Sequence, residues 1–246
     1  MADAGVRLTP RWVWAYVVGG VLLSIAVDYE ALDFALDFSP LAGLIFVSRV
    51  VLLGIAAGLG LAIGLFAAGK KQFPALQPGH WLLLISLLDS LANLLTEGAF
   101  LLANLVPDMT KQTAIILLNV PDFLAYSLQV LLVCWLIKGT HERGYWKWFI
   151  LLVLMQIGSQ LFFSALLFTP SIASDFFVTE PTNPIHGLLR QIHSSDYLIG
   201  AALAVLMLVG IARDNYRGVP RDRYHYLGLV IPICLALLVL AANNLV

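Results

Sequence analysis

Long apolar runs with few charged side chains recur along the whole chain. A helix that crosses a bilayer needs about 20 mostly apolar residues, and seven segments approach or exceed this length. They are residues 12–27, 41–68, 81–105, 113–137, 147–168, 194–212 and 226–244. Most connections between them are short and contain glycine or proline. The pattern predicts an all-α fold, a polytopic membrane bundle of about seven transmembrane helices that forms a single domain over residues 1–246.

The composition agrees with this reading of the pattern. Hydrophobic residues make up 60% of the chain, charged residues make up 12%, and the mean hydropathy is +0.89. A soluble domain carries roughly 25% charged residues, so this chain has too few charges to cover a globule in water. The net charge is −1, which gives no basic surface for nucleic acid. We therefore expect membrane lipids around the protein and no nucleic-acid partner.

Basic residues concentrate in the connections on one side of the predicted bundle. With seven spans, that side carries Arg7, Arg11, Lys70, Lys71, Lys138, Arg143, Lys147, Arg213, Arg217, Arg221 and Arg223. The other side has only Lys111 and Arg190, beside several acidic residues. Lysine and arginine accumulate on the cytoplasmic side of membrane proteins. The asymmetry predicts a multi-pass protein of the plasma (inner) membrane, with its N-terminus in the cytoplasm and its C-terminus outside.

The first predicted span has an alternative interpretation. Two arginines, an apolar run and the small residues Ser24 and Ala26 resemble a cleavable signal peptide over residues 1–26. Against cleavage, the apolar run begins with Trp12 and Trp14, which suit an anchor at the membrane surface. Cleavage would leave six spans and would not affect the later ones.

Four ionisable residues fall inside predicted spans: Arg49, Asp89, Glu97 and Asp122. Placing a charged side chain at the centre of a membrane helix costs about 2.5–3.5 kcal/mol on insertion scales. Each of these residues therefore needs a structural or functional explanation. The similar depths of Arg49, Glu97 and Asp122 predict that Arg49 pairs with one of the two carboxylates. Asp89 lies deeper and has no evident cationic partner, so we expect its carboxyl group to be protonated at neutral pH.

Polar residues share one face on each of three consecutive spans. On the third they cover an arc of about 120°: Ser86, Asp89, Ser90, Asn93, Thr96, Glu97 and Asn104. On the fourth they are Asn119, Asp122, Tyr126 and Gln129, and on the fifth Gln156, Ser159, Gln160 and Ser164. We expect these faces to meet around a polar cavity between spans two to six, open toward the outer face. The alternative is that such residues only join helices by hydrogen bonds.

The predicted ligand-binding residues of this cavity are Arg49, Asp89, Asn93, Glu97, Asn119, Asp122, Tyr126, Gln156 and Gln160. Pro121, beside Asn119 and Asp122, frees a backbone carbonyl that could add to the site. The second span carries Gly54, Gly58, Gly60 and Gly64, a small-residue pattern that suits a central packing helix.

The five histidines do not indicate a metal or haem centre. His80, His141 and His225 lie at cytoplasmic span ends or in a connection, where we expect them to be solvated. On the outer side, His186, His193 and Asp196 form only a weak candidate for a divalent metal site. No metal and no cofactor is predicted.

Three functions remain open at this point. The first is binding or transport of a small polar or ionic solute, with proton coupling through Asp89. The second is an intramembrane enzyme that uses Asp89 or Glu97 as the catalytic general acid toward a lipid or isoprenoid substrate. The third is a structural subunit that packs against partner subunits in a larger membrane complex. Transport requires a cavity that reaches both faces of the membrane, and the enzyme requires an apolar lateral opening to lipid beside a carboxylate. A subunit requires an outward-facing stripe of small or polar residues with no cavity behind it.

Overall fold

The computed structural model describes residues 10–29, 39–70, 76–105, 111–139, 144–169 and 196–245. Over these ranges the chain forms seven helices and no strand, so the prediction of an all-α bundle is confirmed. The helices are α1 Pro10–Val27, α2 Pro40–Lys70, α3 Pro78–Leu105, α4 Lys111–Gly139, α5 Tyr145–Leu166, α6 Asp196–Arg217 and α7 Arg223–Leu245. The last six are long and apolar enough to cross a membrane, and the first contains a shorter apolar run.

Helix starts follow local rules that can be read from the sequence. Pro10, Pro40 and Pro78 each occupy the first helical position, where a missing N–H costs nothing. Before Pro40, the Ser39 hydroxyl oxygen accepts a hydrogen bond from the Ala42 N–H at 3.0 Å, which caps α2. The helices α4 and α7 continue through Pro121 and Pro232.

The helices from α1 to α5 pack each against the next in chain order. The last helix, α7, packs on both α2 and α3, and α6 lies beside α7 and contacts α5. The five helices α3 to α7 thus form a ring, with α1 and α2 outside it. We call the end at which α3, α5 and α7 begin the basic end, because Arg217, Arg221 and Arg223 lie there.

Glycines allow the close approach of α1, α2 and α3. A Cβ atom on Gly54 or Gly58 would lie 2.5 or 2.4 Å from the backbone of α1, and one on Gly60 would lie 2.2 Å from the Leu83 carbonyl oxygen. These distances leave no room for a side chain, so α2 packs by its backbone against both neighbours. The prediction that the glycines of this helix serve packing is confirmed, and α2 lies between α1 and α3.

The apolar core lies mainly in the half of the bundle nearer the basic end. Its most buried members include Ile63, Leu83, Val133, Phe149 and Leu229, which come from five different helices. In the other half, most positions of α3 and α4 are exposed or half-buried. The ring is therefore tightly filled at the basic end.

Candidate functional site

The polar face of α3 points into the ring. Gly79 contacts α7, and Glu97 lies on the same side of the helix because 18 residues make about five turns. Asp89 contacts α4, and Asn93 lies about 40° further round the helix, between the sides that face α4 and α7. Both Asn93 and Glu97 are exposed. We infer from this exposure that an open groove runs along α3 between α4 and α7.

Asp89 lies at the inner part of this groove. Its carboxyl oxygen accepts a hydrogen bond from the Gln129 amide of α4, which joins the polar faces of the two helices. Asp89 is about 15 Å along the helix axis from Gly79 at the basic end, which places it near the middle of a membrane about 30 Å thick. An acidic side chain thus lies at mid-membrane depth with an amide as its direct partner.

Asp122 lies on the same face of α4 as Gln129, about 10 Å nearer to the end opposite the basic one. It is half-buried. Glu97 is at a similar level, about 27 Å from Gly79. The groove therefore has two carboxyl groups near its mouth and a third at its inner part.

The polar faces of α4 and α5 also meet. The Asn119 amide donates to the Ser164 carbonyl oxygen at 2.7 Å, and the Ser164 hydroxyl donates to the Asn119 side-chain oxygen at 2.8 Å. Both residues are buried. The expectation that the faces of the third, fourth and fifth spans turn toward one another is confirmed at these two contacts, Asp89 with Gln129 and Asn119 with Ser164.

Tyr126, Gln156 and Gln160, the remaining polar candidates of α4 and α5, are half-buried, and each makes contacts with neighbouring residues. Tyr126 packs against the apolar core. Their place in a binding site stays a prediction.

The expected partner of Arg49 is not found. Among the side chains that are described, no ion pair joins Arg49 to Glu97 or Asp122. Arg49 is exposed on α2, and its charge acts instead on Asp28 at the end of α1. Burial raises the pKa of the Asp28 carboxyl above its ordinary value, and the Arg49 cation offsets only part of that rise. A depth for Arg49 could be estimated from the sequence, but not the neighbour that α2 faces there.

At the basic end, the first turns of α3 and α7 cap one another. His80 Nε2 donates to the Asp222 carboxylate at 2.9 Å, and the Asp222 N–H donates to the Gln77 side-chain oxygen at 3.2 Å. The same carboxylate oxygen accepts the His225 N–H at 2.9 Å, and His225 Nδ1 accepts the Gly79 N–H at 3.1 Å. These bonds satisfy N–H groups that a helix start leaves without partners.

Both histidines are buried completely, so the expectation that they are solvated was wrong for His80 and His225. Nδ1 of each ring accepts a backbone N–H, from Gln77 for His80 and from Gly79 for His225. A ring proton then resides on Nε2 of each histidine. His80 and His225 are buried because they replace water as acceptors where two helix starts meet. His141 lies outside the described residues.

A second set of contacts joins α5 to α6 and α7 at the same end. Trp146 donates from its indole N–H to Asp214 at 2.8 Å, and Arg221 donates to the same carboxylate oxygen at 2.7 Å. The Trp146 ring meets the His225 ring edge to face, with centroids 5.5 Å apart. Asp214 and Trp146 are buried. The basic end of the ring is therefore closed by packed and hydrogen-bonded side chains.

Asp222 is the acid at the centre of the capping contacts. Burial by itself raises the pKa of its carboxyl group, but hydrogen bonds from His80 and from the backbone N–H groups of His225 and Tyr224 outweigh burial. The pKa of Asp222 consequently lies below the ordinary value for aspartate. Asp222 is thus ionised in the folded protein and acts as a fixed anion at two helix N-termini.

Sequence reasoning missed this arrangement, although a signal for it was present. The segments Gln77 to His80 and Asp222 to His225 share one pattern, a polar capping residue followed three positions later by histidine. This is the spacing of a capping box, with histidine in the place of glutamate. The pattern could have predicted two capped helix starts, but not their contact with each other.

No group of histidine, cysteine, aspartate and glutamate suited to a metal ion occurs in the described part of the chain. His186 and His193 lie outside that part, and Asp196 is described only as the first residue of α6. The outer metal site therefore stays untested.

Comparisons with models of protein families, with curated proteins and with solved structures find no match to this chain. The chemistry of the groove and of the basic end is accordingly the basis for a functional assignment.

Proposed function

We propose that this membrane protein binds a small polar or cationic solute in the groove of α3, and that a proton competes with this solute for the Asp89 carboxylate. The observation that carries the proposal is the Asp89–Gln129 contact at mid-membrane depth, at the inner part of a groove with exposed polar side chains. Ionisable groups inside a membrane are costly and mark solute or proton pathways.

The charge of the groove supports a ligand that donates hydrogen bonds. Asp89, Glu97 and Asp122 are acids, and no arginine or lysine of the described residues forms an ion pair with them. A small cation would supply a positive partner, and a neutral solute with several N–H or O–H groups would donate hydrogen bonds to these carboxyl groups. An anionic solute would meet three acidic side chains and is disfavoured.

Access is from the end of the bundle opposite the basic one. Glu97 and Asp122 lie near that mouth, Asn93 lies along the wall, and Asp89 lies at the inner part. The path from Asp89 to the basic end meets the packed core and the contacts of Trp146. Passage of a solute across the membrane thus requires the ring to open at the basic end, where α5, α6 and α7 meet.

The two other functions have less support. The glycines of α2 that could have formed a packing surface for a partner subunit contact α1 and α3 instead. For an enzyme that acts on lipid through Asp89, that acid should face the surrounding membrane, whereas Asp89 faces α4. Glu97, the other candidate acid, is exposed, but no contact of its side chain with the described residues supports a catalytic role. The solute-binding role therefore fits the placement of the polar side chains best.

The test is ligand-dependent thermal unfolding of the purified protein in lipid nanodiscs. The probes are sodium, potassium, ammonium and methylammonium chlorides, with choline chloride to match ionic strength. A ligand at 100 times its Kd stabilises the folded state by about 2.7 kcal/mol, and we expect at least one probe to do so. The stabilisation should weaken as pH falls, because protons compete for the carboxyl group.

Asp89→Asn should fold and lose both the stabilisation and its pH dependence, because an amide cannot ionise. Asp28→Asn is the matched control, since it makes the same change at an acid outside the groove, and it should behave like the unmodified protein. Unchanged stabilisation and pH dependence in Asp89→Asn would reject the proposed role of Asp89.

A further inference from the structure

A second site lies on the outer surface of the ring, between α5 and α6 at the basic end. It is a groove of about 340 Å³. Its walls are formed by Phe149, Leu152 and Leu206, and its edge near the helix ends carries Tyr145, Trp148, Gly144 and Arg213. α5 contacts α6 less extensively than it contacts α4.

Arg213 supplies the one cation among the residues that line this groove. Its guanidinium group lies over the Tyr145 ring, 5.4 Å from the centroid, and the Tyr145 hydroxyl is held by the Leu206 carbonyl oxygen. No carboxylate in the described ranges forms an ion pair with Arg213. Arg221 differs, because Asp214 neutralises it at 2.7 Å. Within the described part of the chain, the positive charge of Arg213 is therefore open to an anion in the groove.

The side chains around Arg213 are those found where a membrane meets water. Trp148 is exposed, and Tyr145 presents its ring to the groove. Tryptophan and tyrosine are enriched at the level of the lipid headgroups. Gly144 has no side chain, which leaves space beside the guanidinium group at the start of α5. Apolar walls below and a cation at headgroup level match the two parts of a phospholipid.

We propose that this groove binds an anionic phospholipid, with its phosphate group on Arg213 and an acyl chain along Phe149, Leu152 and Leu206. Charge complementarity selects the anionic headgroup, since basic pockets between membrane helices bind such lipids. The bound lipid fills the space that α5 and α6 leave between them. It thereby joins two helices that also form the closed basic end of the ring.

A groove of similar composition between α1, α2 and α7 is a weaker candidate. Its volume is about 270 Å³, and it is lined by Trp14, Arg223 and Tyr224 together with aliphatic residues. Arg223 bonds to the Tyr224 hydroxyl at 2.8 Å and directly follows the Asp222 carboxylate. The neighbouring negative charge makes this second groove less selective for an anion.

The test compares two lipids that differ only in headgroup. Protein in neutral detergent is titrated with phosphatidylglycerol or phosphatidylcholine of identical acyl chains, and bound lipid is counted by native mass spectrometry. We expect each protein to bind at least one molecule of phosphatidylglycerol more tightly than it binds phosphatidylcholine. Arg213→Gln should weaken phosphatidylglycerol binding about fivefold, the effect of one basic residue near a membrane surface, and leave phosphatidylcholine binding unchanged.

The matched control is Arg217→Gln, which removes an exposed arginine one turn further along α6 that does not line the groove. It should leave the preference for phosphatidylglycerol intact. Leu152→Trp fills the groove from an exposed position, and it should weaken the binding of both lipids even if Arg213→Gln fails to fold. Equal binding of the two lipids, equal losses in both arginine variants, or displacement of the lipid by inorganic phosphate alone would overturn the proposal.

Discussion

Gly228→Ala tests whether the contact of α3 with α7 holds the basic end together. A Cβ atom on Gly228 would lie 1.9 Å from the Gly79 carbonyl oxygen, whereas real Cβ atoms stay beyond 3.0 Å from such neighbours. The obstacle is backbone on a packed helix, so no side-chain rotation can relieve it. The two helix axes must separate by about 1 Å.

That separation has a calculable cost. Overpacking of a well-packed interior costs about 1–3 kcal/mol. Gly79 also donates its N–H to His225 at 3.1 Å, and a buried hydrogen bond that is broken on one side costs about 1–3 kcal/mol. Together, Gly228→Ala should lower the free energy of unfolding by about 2–6 kcal/mol, which is a large part of the stability of a typical domain.

The assay is reversible unfolding in mixed micelles with an increasing fraction of denaturing detergent, followed by near-ultraviolet circular dichroism of the tryptophans. Gly158→Ala and Gly200→Ala are matched controls, because a Cβ atom at either position meets nothing within 4 Å. Each control should be neutral or gain up to about 1 kcal/mol, since alanine favours a helix over glycine. If Gly228→Ala were as stable as these controls, the close contact of α3 and α7 would be refuted.

Two further predictions concern pH and orientation. Because the pKa of Asp222 lies below its ordinary value, its contribution to stability is present above the unfolded-state pKa, about 3.9, and is lost as pH falls through the folded-state pKa. Acid titration of Asp222→Asn should therefore show a shallower loss of stability below about pH 4 than the unmodified protein, and an identical curve would contradict the capping role. For orientation, a cysteine at Arg217 in a chain whose own Cys134 and Cys234 are replaced should resist a membrane-impermeant thiol reagent in intact cells, while one at Thr179 should react. Labelling at position 217 without labelling at position 179 would show that the orientation is opposite to the predicted one.

The helices of this protein are largely determined by its sequence. Inside a membrane every backbone N–H and C=O group must be bonded within the segment, so an apolar run of sufficient length becomes a helix whatever its neighbours are. For the same reason the polar arcs of α3, α4 and α5 could be derived from periodicity alone, and so could the presence of Asp89 within one of them. Helix capping is nearly as local, and the sequence Ser39-Pro40 predicts the start of α2 as the structure has it.

Which helix lies beside which was decided only by the tertiary structure. Arg49 has a suitable depth for Glu97 or Asp122, yet α2 brings it near Asp28, because neighbours depend on how whole helices pack and not on depth. His80 and His225 are 145 positions apart in the chain, and their burial follows from glycines that let α3 and α7 touch. Gln129 becomes the partner of Asp89 for the same reason: the side chains of one helix determine its faces, but only its packing determines what each face meets.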